Sequence, residues 1–222
     1  MQIETNTTLL DQFGWTFRAS SVDDVPSRVL LLLHGWTGDE NSMWAFTHNL
    51  PSCYSIVAPR APYSAPPDKG GGYSWRELRP ETWGSPTINE LSIAADALVS
   101  LVDDWSDSVS IASLTFDMVG FSQGGALANT VASLHPARVG KVAVLSGFVP
   151  VGAEALLHPG LLDDIRFFWA HGTKDELIPL ERGRVSIELL LNAGAEVQMC
   201  QTEVGHRVSK ECWRSLATFL KN

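Results

Sequence analysis

Residues 116–134 read FDMVGFSQGGALANTVASL, and the order of their parts decides the fold. The apolar run Phe116 to Val119 has strand character, and Gly120-Phe121-Ser122-Gln123-Gly124 follows it directly. Leu127, Thr130, Val131 and Leu134 then share one helical face. A strand, a tight turn with a serine between two glycines, and a helix form the arrangement in which a hydroxyl is presented at a sheet edge as a nucleophile. The glycines omit the Cβ atoms that would clash as strand and helix close together, and the helix start puts a positive dipole end where negative charge develops. The pentapeptide alone is a weak signal, since an ordinary βα turn also favours small residues. Its context makes it specific.

Outward from this centre, short apolar runs alternate with helical patterns. Arg28 to Leu33 (RVLLLL) reads as a strand buried on both faces; Tyr54 to Ala58, Lys141 to Leu145 and Arg166 to Ala170 have the same character, and Ala195 to Gln201 is a weaker one. Gly14 to Arg18 alternates, as an antiparallel strand at the sheet edge would. A helix is expected from about Thr87 to Trp105, with Ile88, Leu91, Ala95, Leu98, Val102 and Trp105 as its apolar stripe and Thr87 with Glu90 as a capping box. His135-Pro136 stops the helix after Ser122. Further helices cover Glu181 to Ala193, ended by Gly194, and Arg207 to Leu220. This alternation predicts an α/β fold over residues 1–222 as one domain: a mostly parallel sheet, helices on both faces, and no large cap. The Pro-rich stretch Pro59 to Pro86, with Gly70–Gly72 and the aromatics Tyr63, Tyr73, Trp75 and Trp83, reads as a functional loop.

Composition narrows the function classes. A net charge of −9 with no basic stripe disfavours nucleic acid, and no apolar run is long enough to span a bilayer. The start of the chain has no secretory pattern. Three cysteines, Cys53, Cys200 and Cys212, show no paired spacing, so the expectation is no disulfide framework and a reducing, cytoplasmic setting. No Cys/His grouping has zinc-site spacing. The chemistry expected needs neither metal nor cofactor.

A serine hydroxyl needs a base. In folds with this turn the acid and then the histidine follow the serine in the chain. His206 follows Gly205 in the loop after the last strand, where an imidazole can reach the serine; His171, at the end of an earlier strand, is the rival. Asp175, in the loop after that strand, is placed to orient the base, whereas Asp163 and Asp164 precede the strand and Glu176 points elsewhere. Oxyanion donors are expected from the amides of Gln123 and of Trp36, in the loop His34-Gly35-Trp36. His34 itself is expected to hold a turn by hydrogen bonding. Trp105, Trp169 and Trp213 read as core, while Trp36 and Trp75, on loops expected near the nucleophile, are expected with Tyr73 to wall an apolar, acyl-binding substrate site.

Taken together, LLHGWTGDE (Leu32 to Glu40), APRAP (Ala58 to Pro62), GGYSW (Gly71 to Trp75), GFSQGG (Gly120 to Gly125), LSG (Leu145 to Gly147), HGTKDELIP (His171 to Pro179) and Gly205-His206 resemble the phospholipase/carboxylesterase family of α/β-hydrolases, which includes acyl-protein thioesterases. The resemblance implies a cap-less serine hydrolase of carboxylic esters or thioesters acting through an acyl-enzyme, with Ser122, Asp175 and His206 as triad. Its substrate is a small or lipid-like ester, with acyl-protein thioesterase or lysophospholipase activity as alternatives. Thr37 departs from the pattern, standing where thioesterases usually have glycine, and the Pro59–Pro86 loop, with GGGYSWREL (Gly70 to Leu78), looks closer to small bacterial esterases. A non-catalytic ligand-binding member and a peptidase of the same fold are the other readings.

Overall fold

The computed structural model describes residues 7–20, 26–47, 50–78 and 85–221. Ten strands are found among them: β1 (Thr7–Gln12), β2 (Trp15–Ser20), β3 (Arg28–Leu33), β4 (Tyr54–Pro59), β5 (Tyr63–Ser64), β6 (Tyr73–Ser74), β7 (Phe116–Phe121), β8 (Val139–Leu145), β9 (Arg166–Gly172) and β10 (Glu196–Thr202). The longer helices are α1 (Ile88–Ser108), α2 (Gln123–Leu134), α3 (Leu180–Asn192) and α4 (Lys210–Lys221). Eight strands form one sheet in the order β1-β2-β4-β3-β7-β8-β9-β10, and β5 pairs with β6 apart from it. Within the eight-stranded sheet all neighbours from β4 through β3 to β10 run parallel, and the β1–β2 and β2–β4 pairings are antiparallel, as is the separate β5–β6 pair.

The strand Gly14 to Arg18 is thus antiparallel as expected but not at the edge. β1 lies outside it, joined through Phe13 (φ 55°) and Gly14 (φ 77°), both left-handed as a tight two-residue hairpin requires. β1 escaped the sequence reading because an edge strand has no buried face to impose alternation, and its six residues are half-buried or exposed.

The run RVLLLL is apolar because both faces of β3 are covered. Val29, Leu31 and Leu33 point into the core shared with α1, α2 and α3; Leu30 and Leu32 point into the other, shared with α4. Helix ends follow local chemistry. The Thr87 side chain accepts from the Glu90 amide while the Glu90 carboxylate accepts from the Thr87 amide (2.7 Å), closing the capping box. Gly194, at φ 100°, turns the chain out of α3.

One expectation fails. Cys200 on β10 and Cys212 on α4 form a disulfide, with Cα atoms 5.6 Å apart, and only Cys53 is free and exposed. The two cysteines face each other because α4 folds back over the end of β10, a juxtaposition that sequence spacing does not reveal. The pair removes the cysteine argument for a reducing compartment. Among the described residues, no helix is long and apolar enough to cross a membrane. Trp83 lies outside the described residues.

Candidate active site

The carboxyl ends of neighbouring parallel strands converge on one edge. β7 leads to Ser122, β3 to Gly35 and Trp36, β8 to Phe148, β9 to Asp175 and β10 to His206. This is where open α/β sheets present their ligand-binding crevice.

Ser122 has φ 53° and ψ −113°, a conformation a non-glycine residue adopts only under constraint. The constraint is visible in its neighbours. A Cβ on Gly120 would lie 2.3 Å from the Gly124 carbonyl oxygen, and one on Gly124 would lie 2.1 Å from that of Leu33. The pentapeptide therefore needs both glycines for strand and helix to meet at this turn. The Ser122 amide donates to the Leu145 carbonyl (2.9 Å), which fixes the turn against β8.

Asp175 is brought to His206. The imidazole Nδ1–H donates to Asp175 Oδ2 at 2.8 Å, while Oδ1 accepts from the amides of Leu177 (3.0 Å) and Ile178 (2.9 Å). The carboxylate side chain is fully buried and held by these three hydrogen bonds, so it can fix the ring and its tautomer. The His206 ring packs against Phe121, centroids 4.9 Å apart, which sets it beside the nucleophile turn. Ser122 Oγ makes no hydrogen bond among the described residues, so the serine–imidazole link is open in this structure.

The rival His171 is engaged elsewhere. Its Nε2–H donates to the Ile178 carbonyl (2.8 Å), its Nδ1 accepts from the Trp169 indole (3.3 Å), and its side chain is fully buried. Both ring nitrogens are occupied, which makes it a prop under the Asp175 loop. His34 is likewise structural. Ala61 N–H donates to Nε2 (3.1 Å), Nδ1–H donates to the Gly35 carbonyl (2.7 Å), and burial lowers its pKa.

The loop after β3 lies against the serine: a Cβ on Gly35 would sit 3.4 Å from Ser122 Cβ. Thr37 takes φ 68°, and its amide donates to the Tyr73 carbonyl (3.0 Å) while the Tyr73 amide donates to Gly38 (2.9 Å). The left-handed φ explains why glycine is the usual occupant of that position. Gln123 opens α2, where the first amides have no intrahelical acceptor. The Gln123 side chain accepts from the Trp75 amide (3.0 Å) and donates to Ser74 Oγ (3.1 Å).

Of the three expected wall residues, Trp36 lines the cavity that holds Ser122, and the other two do not. Trp75 is fully buried, its indole N–H donating to the His34 carbonyl (2.7 Å), so it braces the β3 loop and lines no substrate site. Tyr73 faces a second cavity with Trp15 and Ile93, under the Arg60 guanidinium. Its loop position suggested a site wall because a sequence cannot tell a loop that packs inward from one that does not. The cavity that does hold Ser122 and Gln123 has about 220 Å³ and is lined by Trp36, Arg76, Leu78, Pro86 and Phe148. Arg76 donates to Glu90 (2.7 Å), the capping residue of α1. Arg76 and Phe148 were not anticipated; the only signal was their position in loops that follow site motifs.

Residues 17–222 match the phospholipase/carboxylesterase family. The chain belongs to that family. Among curated relatives, a probable carboxylesterase of Oryza sativa subsp. japonica is 30% identical over 155 residues, covering 67% of this chain and 58% of the rice protein. This chain thus spans little more than half the length of that relative. Acyl-protein thioesterase 1 of Debaryomyces hansenii is 28% identical over 204 residues, covering 82% of this chain and 85% of the yeast protein. Among solved structures, a carboxylesterase from Mesorhizobium loti superposes with a TM-score of 0.81 at 20% identity, covering 98% of this chain and 99% of the other. At that identity the superposition establishes the fold, an α/β-hydrolase sheet without a large cap.

Proposed function

We propose that this phospholipase/carboxylesterase family member is a serine hydrolase of carboxylic esters, with Ser122 as nucleophile, His206 as base and Asp175 as its orienting acid. The observation that carries the reading is the strained Ser122 at the β7–α2 turn, beside an imidazole already held at 2.8 Å by a buried carboxylate. Ser122 Oγ attacks the ester carbonyl carbon as His206 Nε2 takes the hydroxyl proton, and Asp175 stabilises the imidazolium. The oxyanion is received by the amides of Gln123 and Trp36. Collapse expels the alcohol, protonated by His206, and leaves an acyl-serine. Water, activated by the same imidazole, then releases the acid.

Ser122→Ala is expected to lose at least about 10³-fold in kcat for para-nitrophenyl esters while keeping the wild-type melting temperature. A fluorophosphonate probe should label the wild type and not the variant. Near-wild-type turnover in Ser122→Ala would remove the assignment, and absence of both labelling and turnover in the wild type would favour a non-catalytic binding protein. Thioester cleavage is the second reading, favoured by the thioesterase relative that matches most of the chain; paired oxygen and sulfur esters of one acyl group decide between them.

A further inference from the structure

Ser74 and Trp75 of the GGYSW segment are fully buried and line no part of the cavity that holds Ser122. The segment's hydrogen bonds run instead to the two loops that carry the oxyanion donors. On one side it grips the loop of Trp36. The Thr37 amide donates to the Tyr73 carbonyl (3.0 Å), the Tyr73 amide to the Gly38 carbonyl (2.9 Å), and the Trp75 indole N–H to the His34 carbonyl (2.7 Å). The fit is close: a Cβ on Gly72 would lie 2.0 Å from the Thr37 carbonyl oxygen. On the other side the segment meets the first residue of α2. The Gln123 side-chain oxygen accepts from the Trp75 amide (3.0 Å), and its nitrogen donates to Ser74 Oγ (3.1 Å), which in turn donates to the Arg76 carbonyl (2.8 Å).

Gln123 is therefore joined to the site twice. Its main chain opens α2 beside Ser122, and its buried side chain ties the same residue to the segment that holds the Trp36 loop. The second tie matters because the sheet stops short of the donors. The β3–β7 register ends at Leu33 opposite Gly120, so no ladder bond fixes the spacing of residues 36 and 123 beyond it. The hydrogen bonds through the Gln123 amide group span that interval. An oxyanion hole works only when both of its N–H groups reach the same oxygen at hydrogen-bond distance, and a displacement of about 1 Å is costly. Buried polar groups with their bonds filled, as here, make a stiff spacer.

We propose that the Gln123 side chain, acting with Ser74 and the Trp75 main chain, is a positioning element that sets the spacing between the two oxyanion donors, the amides of Gln123 and Trp36. It touches no reacting atom and acts through those amides alone. This rests on the ester-hydrolase reading above. It gives GGYSW a part in the chemistry without contact with substrate. It also accounts for Thr37 at φ 68°, an unfavourable conformation for a β-branched residue, which the paired bonds to Tyr73 hold in place.

The test uses Gln123→Met, which keeps the side chain's length and removes both of its hydrogen bonds, and Ser74→Ala, which removes one hydroxyl. Turnover of para-nitrophenyl butyrate is measured per active site, with sites counted by endpoint titration with a fluorophosphonate. Two inhibitors of one skeleton are compared, a trifluoromethyl ketone and its methyl ketone parent. Ser122 Oγ adds to the trifluoromethyl ketone carbonyl as its proton passes to His206, giving a hemiketal oxyanion in the hole; the unactivated methyl ketone binds without that addition. Gln123→Met is expected to lower kcat per site about 10²-fold with KM within about threefold of wild type, the pattern of a misplaced oxyanion donor. Affinity for the trifluoromethyl ketone should fall by a similar factor, and affinity for the methyl ketone should hold. Ser74→Ala should show the same pattern at about three- to tenfold, the scale of one neutral hydrogen bond. A glutamine that only supports the fold would change the melting temperature or the number of titrated sites, leaving kcat per site and the ratio of the two ketone affinities unmoved. Wild-type kcat per site in a folded Gln123→Met, or equal losses for both ketones, overturns the proposal and leaves the hydrolase reading intact. If Gln123→Met does not fold, Ser74→Ala decides by the same two readouts. If the wild type neither turns over ester nor titrates, the hydrolase reading fails and this proposal falls with it.

Discussion

At the scale of single residues, the site depends on what is missing as much as on what is present. Gly124 closes the turn only because nothing projects from its Cα; an added methyl would lie 2.1 Å from the Leu33 carbonyl oxygen, and a backbone atom cannot rotate away. Overpacking usually costs about 1–3 kcal/mol, and a clash with the rigid main chain of Leu33 and His34 falls at the top of that range. Gly124→Ala should therefore lose about 3 kcal/mol by denaturant melts and, by shifting Ser122, most of its activity. Gly205 supplies the contrast, since an added Cβ there meets nothing nearer than the Lys174 oxygen at 3.7 Å. Gly205→Ala is expected to stay within about 1 kcal/mol of wild type, as substitutions into open space do. Equal losses in the two variants would mean that the Gly124 contact relaxes freely. This part of the site was legible in advance because the G-x-S-x-G rule is steric, and sterics write themselves into sequence as obligatory glycines.

Among the elements, β10, the loop carrying His206 and α4 form one unit, and the Cys200–Cys212 disulfide clamps its two ends with the base between them. Cys212 is buried against the sheet face covered by α4. Closing a loop of this size removes conformational freedom from the unfolded chain worth about 3 kcal/mol. Cys200→Ala with Cys212→Ala should thus lower the melting temperature by roughly 6–12 °C, at about 2–4 °C per kcal/mol for a chain of this length. An unchanged melting temperature, with the wild type shown to be oxidised by thiol titration, would mean that packing alone holds α4. Element order and polarity were readable because strand burial, helix stripes and caps are local patterns: β3, α1 with its capping box and the Gly194 stop all lie where the sequence placed them. What the sequence could not carry is direction. Trp75 and Tyr73 sit in one loop, yet one is buried under the β3 loop and the other faces a different cavity. The disulfide and the Arg182–Phe148 stack join segments that only the folded chain brings together.

For the molecule as a whole, the two edges of the sheet are held by different polar systems. At the amino ends of the strands, buried Asp117 accepts from Tyr54 (2.5 Å), the Lys141 amide (2.8 Å) and Arg28 (3.3 Å), and Lys141 donates to the Leu220 carbonyl (3.0 Å), tying α4 to the sheet. At the carboxyl ends, the loops that frame the site rest on His34 and on carboxylates that the fold keeps charged. Arg60 holds Glu40 below the usual carboxylate range. Burial alone would raise Asp39 and Glu90, but hydrogen bonds from Ser42 and Asn41 in one case, and from Thr87 and Arg76 in the other, outweigh it and lower both. For each carboxylate the unfolded chain binds the proton more readily, so this stability is complete above the ordinary carboxylate pKa and is lost as pH falls through the lower folded value. His34 acts in the same direction at higher pH. Its folded pKa lies below the ordinary 6.5 because burial disfavours the charged ring, so below that pH the unfolded chain gains a proton that the folded chain refuses. Stability should therefore decline in two stages on acidification. The first begins near pH 6.5, with His34 contributing up to about 1.4 kcal/mol per pH unit, and the second begins below the carboxylate range. Urea melts from pH 8 to 3 measure both. In His34→Gln, where nothing at that position titrates, the first stage should shallow by that one-proton slope while the second remains. An identical slope between pH 6.5 and 5 in wild type and His34→Gln would show that the buried ring accepts its proton without cost, and that the loop against Ser122 is not held by a neutral imidazole.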